Sequence, residues 1–355
     1  MFVNKKVKNL EPYIPGYQPN LDDENLIKLN ANENPFPPSP KVINAIKNLD
    51  FNKLKFYPQS RSDILRKVIS TIYNVQEDEV FCGNGSDEII SLIYKVFLAV
   101  GNKIVIPYPT YTLYKTVADI NGIECIFSNV NEDFTININS LLSNSMDADA
   151  LIIVNPNAPT GIILSKQQII EILNNFNGLV IIDEAYIDFS ETDESMIHFI
   201  NQYRNLIVLR TFSKSYSLCG ARVGYCFSNN ETIGYLDKCK DSYNLNFLSQ
   251  QVAIAAIKDQ EYQKNNVRKI IENRKYLTNE LITIGFKVIP SQTNFLLCTP
   301  SFDKTAYGIY QKLITFNIFV RYFNSYMLDD KLRITIGTKK EIDELLSALK
   351  TIVHE

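Results

Sequence analysis

Lys214 lies in Thr211-Phe212-Ser213-Lys214, just after the apolar run Asn205-Leu206-Ile207-Val208-Leu209-Arg210, and Arg222 follows eight residues later in Gly220-Ala221-Arg222-Val223-Gly224. A lysine in a loop at the C-terminal end of a strand can be partly desolvated, which lowers the pKa of its amine and makes it a nucleophile. The hydroxyls beside it and the Arg222 guanidinium can hold a phosphate close by through charge-assisted hydrogen bonds. A lone lysine among serines is ordinarily a surface residue, so this reading depends on the company it keeps.

That company is a set of loops, most of which follow apolar runs. Val180-Ile181-Ile182 ends in Asp183-Glu184-Ala185-Tyr186. A carboxylate there can pair with a protonated ring nitrogen, and a tyrosine three residues on can bond a phenolic oxygen of the same ring. Asp183 is the acid expected in that role and Glu184 the second candidate; a strand end followed by a capping carboxylate is the plainer alternative. Cys82-Gly83-Asn84-Gly85-Ser86-Asp87-Glu88 is a glycine-rich turn opening an amphipathic helix, Ile89 to Val100, whose free N–H groups can cradle a phosphate. Pro107-Tyr108-Pro109-Thr110-Tyr111 sets an aromatic ring at the same edge, and Asn155-Pro156-Asn157-Ala158-Pro159-Thr160-Gly161 follows another apolar run. Open α/β sheets bind ligands at the C-terminal ends of their strands, so the agreement among these loops matters more than any one of them.

The elements that must position the loops are short apolar runs alternating with longer amphipathic ones. Strands are expected at Lys103 to Ile106, Ile123 to Phe127, Ala150 to Val154, Leu179 to Ile182, Leu206 to Arg210 and Val223 to Phe227, an alternation that predicts a mostly parallel α/β sheet. Helical periods then lengthen through about Glu231 to Ile257 and Glu261 to Ile284. Strands at Phe286 to Ile289, Asn294 to Cys298, Ile318 to Tyr322 and Leu332 to Ile336, with a last helix from Lys340, form a smaller α+β unit. The first forty residues, rich in Pro and Asn, read as an arm that joins the smaller unit's sheet and reaches a partner subunit. The expected division is therefore an arm at 1–40, a large ligand-binding domain at 41–245 and a small domain at 246–355.

Composition narrows the function classes. With 355 residues and 45% hydrophobic content the chain can build a full core, and a net charge of −3, with 36 basic and 39 acidic residues interspersed, offers no field for nucleic acid or anionic lipid. Lys5, Lys6 and Lys8, and Lys53 with Lys55, read as solvated surface. Six scattered cysteines without a C-x-x-C pair disfavour a disulfide framework and a zinc site and point to a reducing compartment. Two histidines, His198 and His354, leave no material for a histidine triad or a multi-histidine metal site. Apolar runs fall short of the roughly 18 residues needed to span a bilayer, and Met1 to Tyr13 lacks a signal-peptide core, so the expectation is a cytoplasmic protein with no membrane partner.

In order and spacing these segments resemble the fold type I pyridoxal-phosphate enzymes, and specifically the histidinol-phosphate aminotransferase family. Leu29-Asn30-Ala31-Asn32-Glu33-Asn34-Pro35 and Leu332-Arg333-Ile334-Thr335-Ile336-Gly337-Thr338 look like signatures of that family, and the likeness runs from about Leu10 to the last helix. The resemblance implies pyridoxal 5'-phosphate as cofactor, held by Lys214 as a Schiff base, with the freed amine moving the proton of the transamination. It implies Asp183 on the pyridinium nitrogen, Tyr186 and Asn157 on the phenolic oxygen, and Tyr111 stacked on the ring. The phosphate would rest on Gly85, Ser86, Asp87, Thr211, Ser213 and Arg222. Tyr57, in Phe56-Tyr57-Pro58, would reach the phosphate of the neighbouring subunit, which implies a homodimer with shared sites. Arg333 would grip either glutamate's carboxylate or the phosphate of histidinol phosphate, with Arg321, Tyr13 and Asn294 lining the same pocket.

Two positions depart from the family pattern. Ala158 stands where the family often has a second asparagine before Pro-Thr-Gly, leaving Tyr186 or the displaced Asn157 to bond the phenolic oxygen, and Pro58-Gln59-Ser60-Arg61 replaces the more usual Pro-Asp-Pro-Gln. The implied activity is transamination between glutamate and imidazole-acetol phosphate in histidine biosynthesis. Transamination of aromatic amino acids and decarboxylation of a phosphorylated amino acid are the alternatives. A regulator built on the same fold without turnover would need a basic DNA-binding module, for which the charge balance gives no support.

Overall fold

A computed structural model describes residues 2–3, 8, 10, 12–13, 16–301 and 303–354; Lys5, Lys6 and Pro15 lie outside the described residues. A two-residue strand in the arm, β1 (Ile27–Lys28), precedes the main sheet, which is built from β2 (Val80–Gly83), β3 (Lys103–Tyr108), β4 (Glu124–Asn129), β5 (Ala150–Val154), β6 (Leu179–Asp183), β7 (Leu206–Thr211) and β8 (Gly224–Phe227). Their order across the sheet is β2-β8-β7-β6-β5-β3-β4. The strands β3 to β7 are mutually parallel, and β8 runs antiparallel to both β7 and β2.

The central strands read as continuous apolar runs because helices cover both faces of the sheet. Alternate residues serve alternate layers: Leu151 and Ile153 of β5 join Leu206 and Val208 of β7 in one core, while Ile152 joins Ile207 and Leu209 in the other. The smaller unit is a four-stranded sheet, order β12-β13-β10-β9, of β9 (Phe286–Val288), β10 (Phe295–Pro300), β12 (Arg321–Tyr322) and β13 (Leu332–Thr335), and β11 (Ile318–Phe319) pairs in parallel with β1 of the arm. The arm is pinned there by Leu29, whose N–H donates to Phe319 and whose carbonyl accepts from Thr335. Among the described residues no helix is long and apolar enough to cross a membrane.

Three elements differ from the sequence reading. The segment expected as one strand from Ile318 to Tyr322 is split at Val320, because its first half pairs with the arm and its second with β13. The helical stretch expected through Glu231 to Ile257 breaks into Asn230–Cys239 and Phe247–Ile257, since the Asn246 side chain accepts from Ser249 N–H and starts a new helix. That second helix sends Ala253, Ala256 and Ile257 into the large unit's core, so the chain stays with the large unit past residue 246. The strand β2 was not anticipated; only four residues long, it ends at the glycine turn.

Arg66 is 2% exposed and forks onto Asp237, at 2.9 Å from Nη1 and 2.5 Å from Nη2, tying the helix Asp63–Tyr73 to Asn230–Cys239. Removing the buried fork leaves Asp237 with only the exposed Arg61, so Arg66→Ala should lower stability in urea unfolding by about 2 kcal/mol. Lys115→Ala, which breaks the exposed pair with Asp119, should cost less than about 0.5 kcal/mol.

Candidate active site

The antiparallel course of β8 gathers the site. Its first residue, Gly224, lies at the edge where β2 and β7 end, paired with Gly83 on one side and Thr211 on the other. Three loops therefore leave from adjacent points: Gly83 to the helix Ser86–Phe97, Thr211 to Lys214, and Arg222 into Gly224 itself. A cavity of about 670 Å³ opens at this edge, lined among others by Ser86, Asp87, Tyr111, Asp183, Tyr186 and Lys214, with Tyr13, Arg321 and Arg333 on the side of the smaller unit.

The helix Ser86–Phe97 starts at Gly85, which offers no capping side chain, so its first N–H groups are available to an anion. Arg222 reaches over this end, its Nη2 2.9 Å from Asp87 Oδ2 and its Nη1 3.5 Å from Ser213 Oγ. Glycine is required at both neighbouring positions: a Cβ on Gly85, whose φ is +81°, would stand 2.5 Å from Arg222 Nη2, and one on Gly224 would stand 2.3 Å from Ser86 N. Thr211 and Ser213 are buried at the cavity wall, with Ser213 N–H donating to Thr211 Oγ1.

Asp183, at the end of β6, is 4% exposed. Tyr114 Oη donates to its Oδ2 at 2.5 Å and Ala185 N–H to its Oδ1 at 3.0 Å, yet burial pushes the carboxyl up to about 6. Glu184, next in sequence, points the other way into a closed network, taking Arg210 Nε at 2.8 Å, Met196 N–H and the Ser195 hydroxyl. Its role is structural. Lys214 Nζ lies 3.4 Å from Ala31 O, with its charge 5.6 Å from the centre of the Tyr186 ring. Tyr111 sits edge-on to both Tyr13 and Tyr114.

On the far wall Arg321 and Arg333 face each other across β12 and β13. Arg333 donates from Nη2 to Asn30 O at 2.8 Å and lies near the rings of Phe295 and Phe323, but its buried Nε has no partner among the described residues, and burial lowers its pKa to about 10. Two guanidinium groups on directly opposed residues repel one another, an arrangement that favours an anion between or beside them.

The family model for aminotransferase class I and II matches residues 24–349. A curated histidinol-phosphate aminotransferase from Clostridium botulinum (strain Okra) is 42% identical over 352 residues, 98% of this chain and 97% of the relative. The crystal structure of histidinol-phosphate aminotransferase from Sinorhizobium meliloti in complex with pyridoxal-5'-phosphate superposes with a TM-score of 0.87 at 25% identity, covering 92% of this chain and 91% of that one. That of the Clostridium acetobutylicum enzyme gives 0.86 at 29% identity, covering 93% and 99%. The chain belongs to the class I and II aminotransferase family.

Not every residue expected in this aminotransferase site borders the cavity. The Asn157 side chain donates to Pro109 O and Thr160 Oγ1 and accepts from Thr110, which fixes the loop. Asn294 donates to Asn32 O, and its Oδ1 has no partner among the described residues. Tyr57 is 80% exposed outside the cavity and stacks on Tyr243, with centroids 4.3 Å apart. Two neighbours were missed. Tyr114, the partner of Asp183, stands one helical turn beyond Tyr111, a spacing that would have found it. Asn32, which donates to Tyr186 Oη at 2.9 Å, belongs to a segment that stood out in the sequence, but nothing local shows that its partner lies 154 residues away.

The buried Asp183 carboxyl makes stability depend on pH. Below its ordinary value of 3.8 it is protonated folded or unfolded; between there and about 6 only the folded chain keeps the proton. Stability of the cofactor-free protein should therefore fall as pH rises through this window, by about 3 kcal/mol from this group. Asp183→Asn should remove that slope, making the variant more stable than wild type at pH 8 and no more stable near pH 4, read from thermal unfolding across the range.

Proposed function

We propose that the chain is a pyridoxal-phosphate-dependent aminotransferase that moves the amino group of L-histidinol phosphate to 2-oxoglutarate, giving imidazole-acetol phosphate and glutamate. The reading rests on the convergence of an amine, a buried carboxyl, an uncapped helix end with an arginine, and an arginine pair on one cavity. It is supported by the names of the curated relatives.

The residues fit the cofactor. The uncapped helix end and Arg222 suit a phosphate, and the glycines at 85 and 224 keep that cradle free of side chains. Asp183, buried beyond what its two hydrogen bonds offset, suits a cationic ring nitrogen. When bound, pyridoxal phosphate supplies an aldehyde that condenses with amines and a protonated ring that draws electrons from the substrate carbon. In this reading Ser86 and Asp87 N–H, Thr211, Ser213 and Arg222 hold the phosphate, Tyr186 the phenolic oxygen, and Tyr111 the ring face. Lys214 would anchor the group, and its free Nζ would take the proton from the substrate Cα. Arg333 and Arg321, with Tyr13, take the substrate's oxyanion. A paired guanidinium site favours a phosphate dianion over the single carboxylate of an aromatic amino acid, which sets histidinol phosphate ahead.

A second copy of the chain would complete the site through Tyr57. The exposed Phe51, Leu54, Phe56, Tyr57 and Tyr243 supply an apolar surface for that partner, and the reading is a cytoplasmic homodimer.

Wild type reconstituted with pyridoxal phosphate should show a visible absorbance band that L-histidinol phosphate converts to a near-ultraviolet one. Lys214→Ala should fail to complete the conversion and lower turnover by at least about a thousandfold. An unchanged band on adding histidinol phosphate would remove the substrate assignment; no band at all would remove the cofactor. Arg333→Gln should raise KM for histidinol phosphate and 2-oxoglutarate alike by roughly 10–100-fold in steady-state assays, as expected for a lost charged hydrogen bond.

A further inference from the structure

Tyr186 is the residue assigned to the phenolic oxygen of the cofactor, and what holds its hydroxyl is a residue of the arm. Asn32 Nδ2 donates to Tyr186 Oη at 2.9 Å. Ala158, on the same cavity wall, offers only a methyl group, and the Asn157 carboxamide is occupied with Pro109 and Thr160. No other hydrogen bond to the Tyr186 hydroxyl is found among the described residues.

Asn32 is itself fixed at every polar group. Its N–H donates to Thr335 Oγ1 at 3.0 Å, its Oδ1 faces the same hydroxyl at 3.4 Å, and its carbonyl accepts from Asn294 Nδ2 at 3.0 Å. It is 2% exposed and held in the left-handed region, φ 54°, which asparagine tolerates better than most side chains. With Thr335 against Oδ1, the amide presents its N–H to Tyr186. A phenol that accepts a hydrogen bond keeps its own proton to donate elsewhere, and the Tyr186 ring lines the cavity.

We propose that Asn32 is a positioning residue for Tyr186: by donating to Oη it directs the Tyr186 proton into the cavity, toward the phenolic oxygen of the cofactor. The inference rests on the cofactor reading above. A donated hydrogen bond stabilises the deprotonated phenolic oxygen, so losing it should raise the pH at which the cofactor's visible absorbance changes.

The test is a pH titration of that absorbance on the reconstituted full chain. Asn32→Gly removes the carboxamide while keeping the positive φ; Asn32→Asp keeps the shape but accepts instead of donating, drawing the Tyr186 proton to itself. Both should raise the midpoint by about one pH unit, a tenfold change in proton affinity, as for one hydrogen bond. In a Tyr186→Phe background, Asn32→Gly should add no further shift. A midpoint unchanged in Asn32→Gly, or one that moves equally with and without the Tyr186 hydroxyl, overturns the proposal and assigns Asn32 to holding the arm alone. If Asn32→Gly does not fold, an unchanged midpoint in Asn32→Asp overturns it. Failure of wild type to take up the chromophore would instead remove the cofactor reading.

Discussion

The site depends on the reversal of a single strand. Because β8 runs against β7, its first residue lies at the edge where the parallel strands end, and Gly224 packs directly on the first peptide of the helix Ser86–Phe97. Any side chain at that point would push the helix end away from Arg222 and from the Thr211-to-Lys214 loop. In an all-parallel sheet the segment carrying Arg222 would enter its strand at the opposite edge. Reversal brings the arginine and the lysine, eight residues apart in sequence, to one end of the sheet beside a third loop more than a hundred residues earlier.

Asp183 and Arg333, which line the cavity, lack the ion-pair partner that the buried Glu184 has among the described residues. Asp183 and Glu184 are adjacent, and the pleat turns them to opposite sides. Glu184 meets Arg210, which also bridges to the half-buried Asp188 at 2.7 Å, so that the buried carboxylate there has a cationic partner even though burial raises its pKa. Asp183 receives two neutral donors and remains displaced toward protonation, while across the cavity Arg333 keeps an Nε without a partner among the described residues. Each defect destabilises the empty protein, and each is of the sign that a ligand with a cationic ring and an anionic end would relieve. Binding to the folded state alone then returns the stability that the site gives up.

Much of this was legible in the sequence, for reasons that also mark where legibility ends. The parallel strands declare themselves as apolar runs because both of their faces are covered, and loops that follow them must open at one edge, so Lys214, Asp183 and Tyr111 assemble from the sequence alone, while Ser86 was legible only from its glycine turn. What the sequence could not supply is direction. Asn157 follows β5 as expected, yet its carboxamide turns to Pro109 and Thr160, because closing its own loop satisfies it locally. Asn294 likewise serves Asn32 and not the cavity. The split of Ile318 to Tyr322 depends on two different pairing partners, and the helix break before Phe247 on one capping side chain, neither of which alters hydrophobic periodicity.

The arm shows why such non-local contacts matter for chemistry. Leu29 is held between β11 and β13, and from that anchor the next residues reach both units: Arg333 donates to Asn30 O, Lys214 Nζ to Ala31 O, Asn32 Nδ2 to Tyr186, and Asn34 Nδ2 to the carbonyl of Lys214. Ordering each residue of such a segment costs about 1–2 kcal/mol, and each hydrogen bond returns about 1. The hydrogen bonds named between Asn30 and Asn34 therefore do not offset the ordering of the arm by themselves, and the burial of Ile27 and Leu29 is needed to hold it in place. Because its bonds end on Lys214, Tyr186 and Arg333, these side chains reach their positions only when arm, large unit and small unit are together.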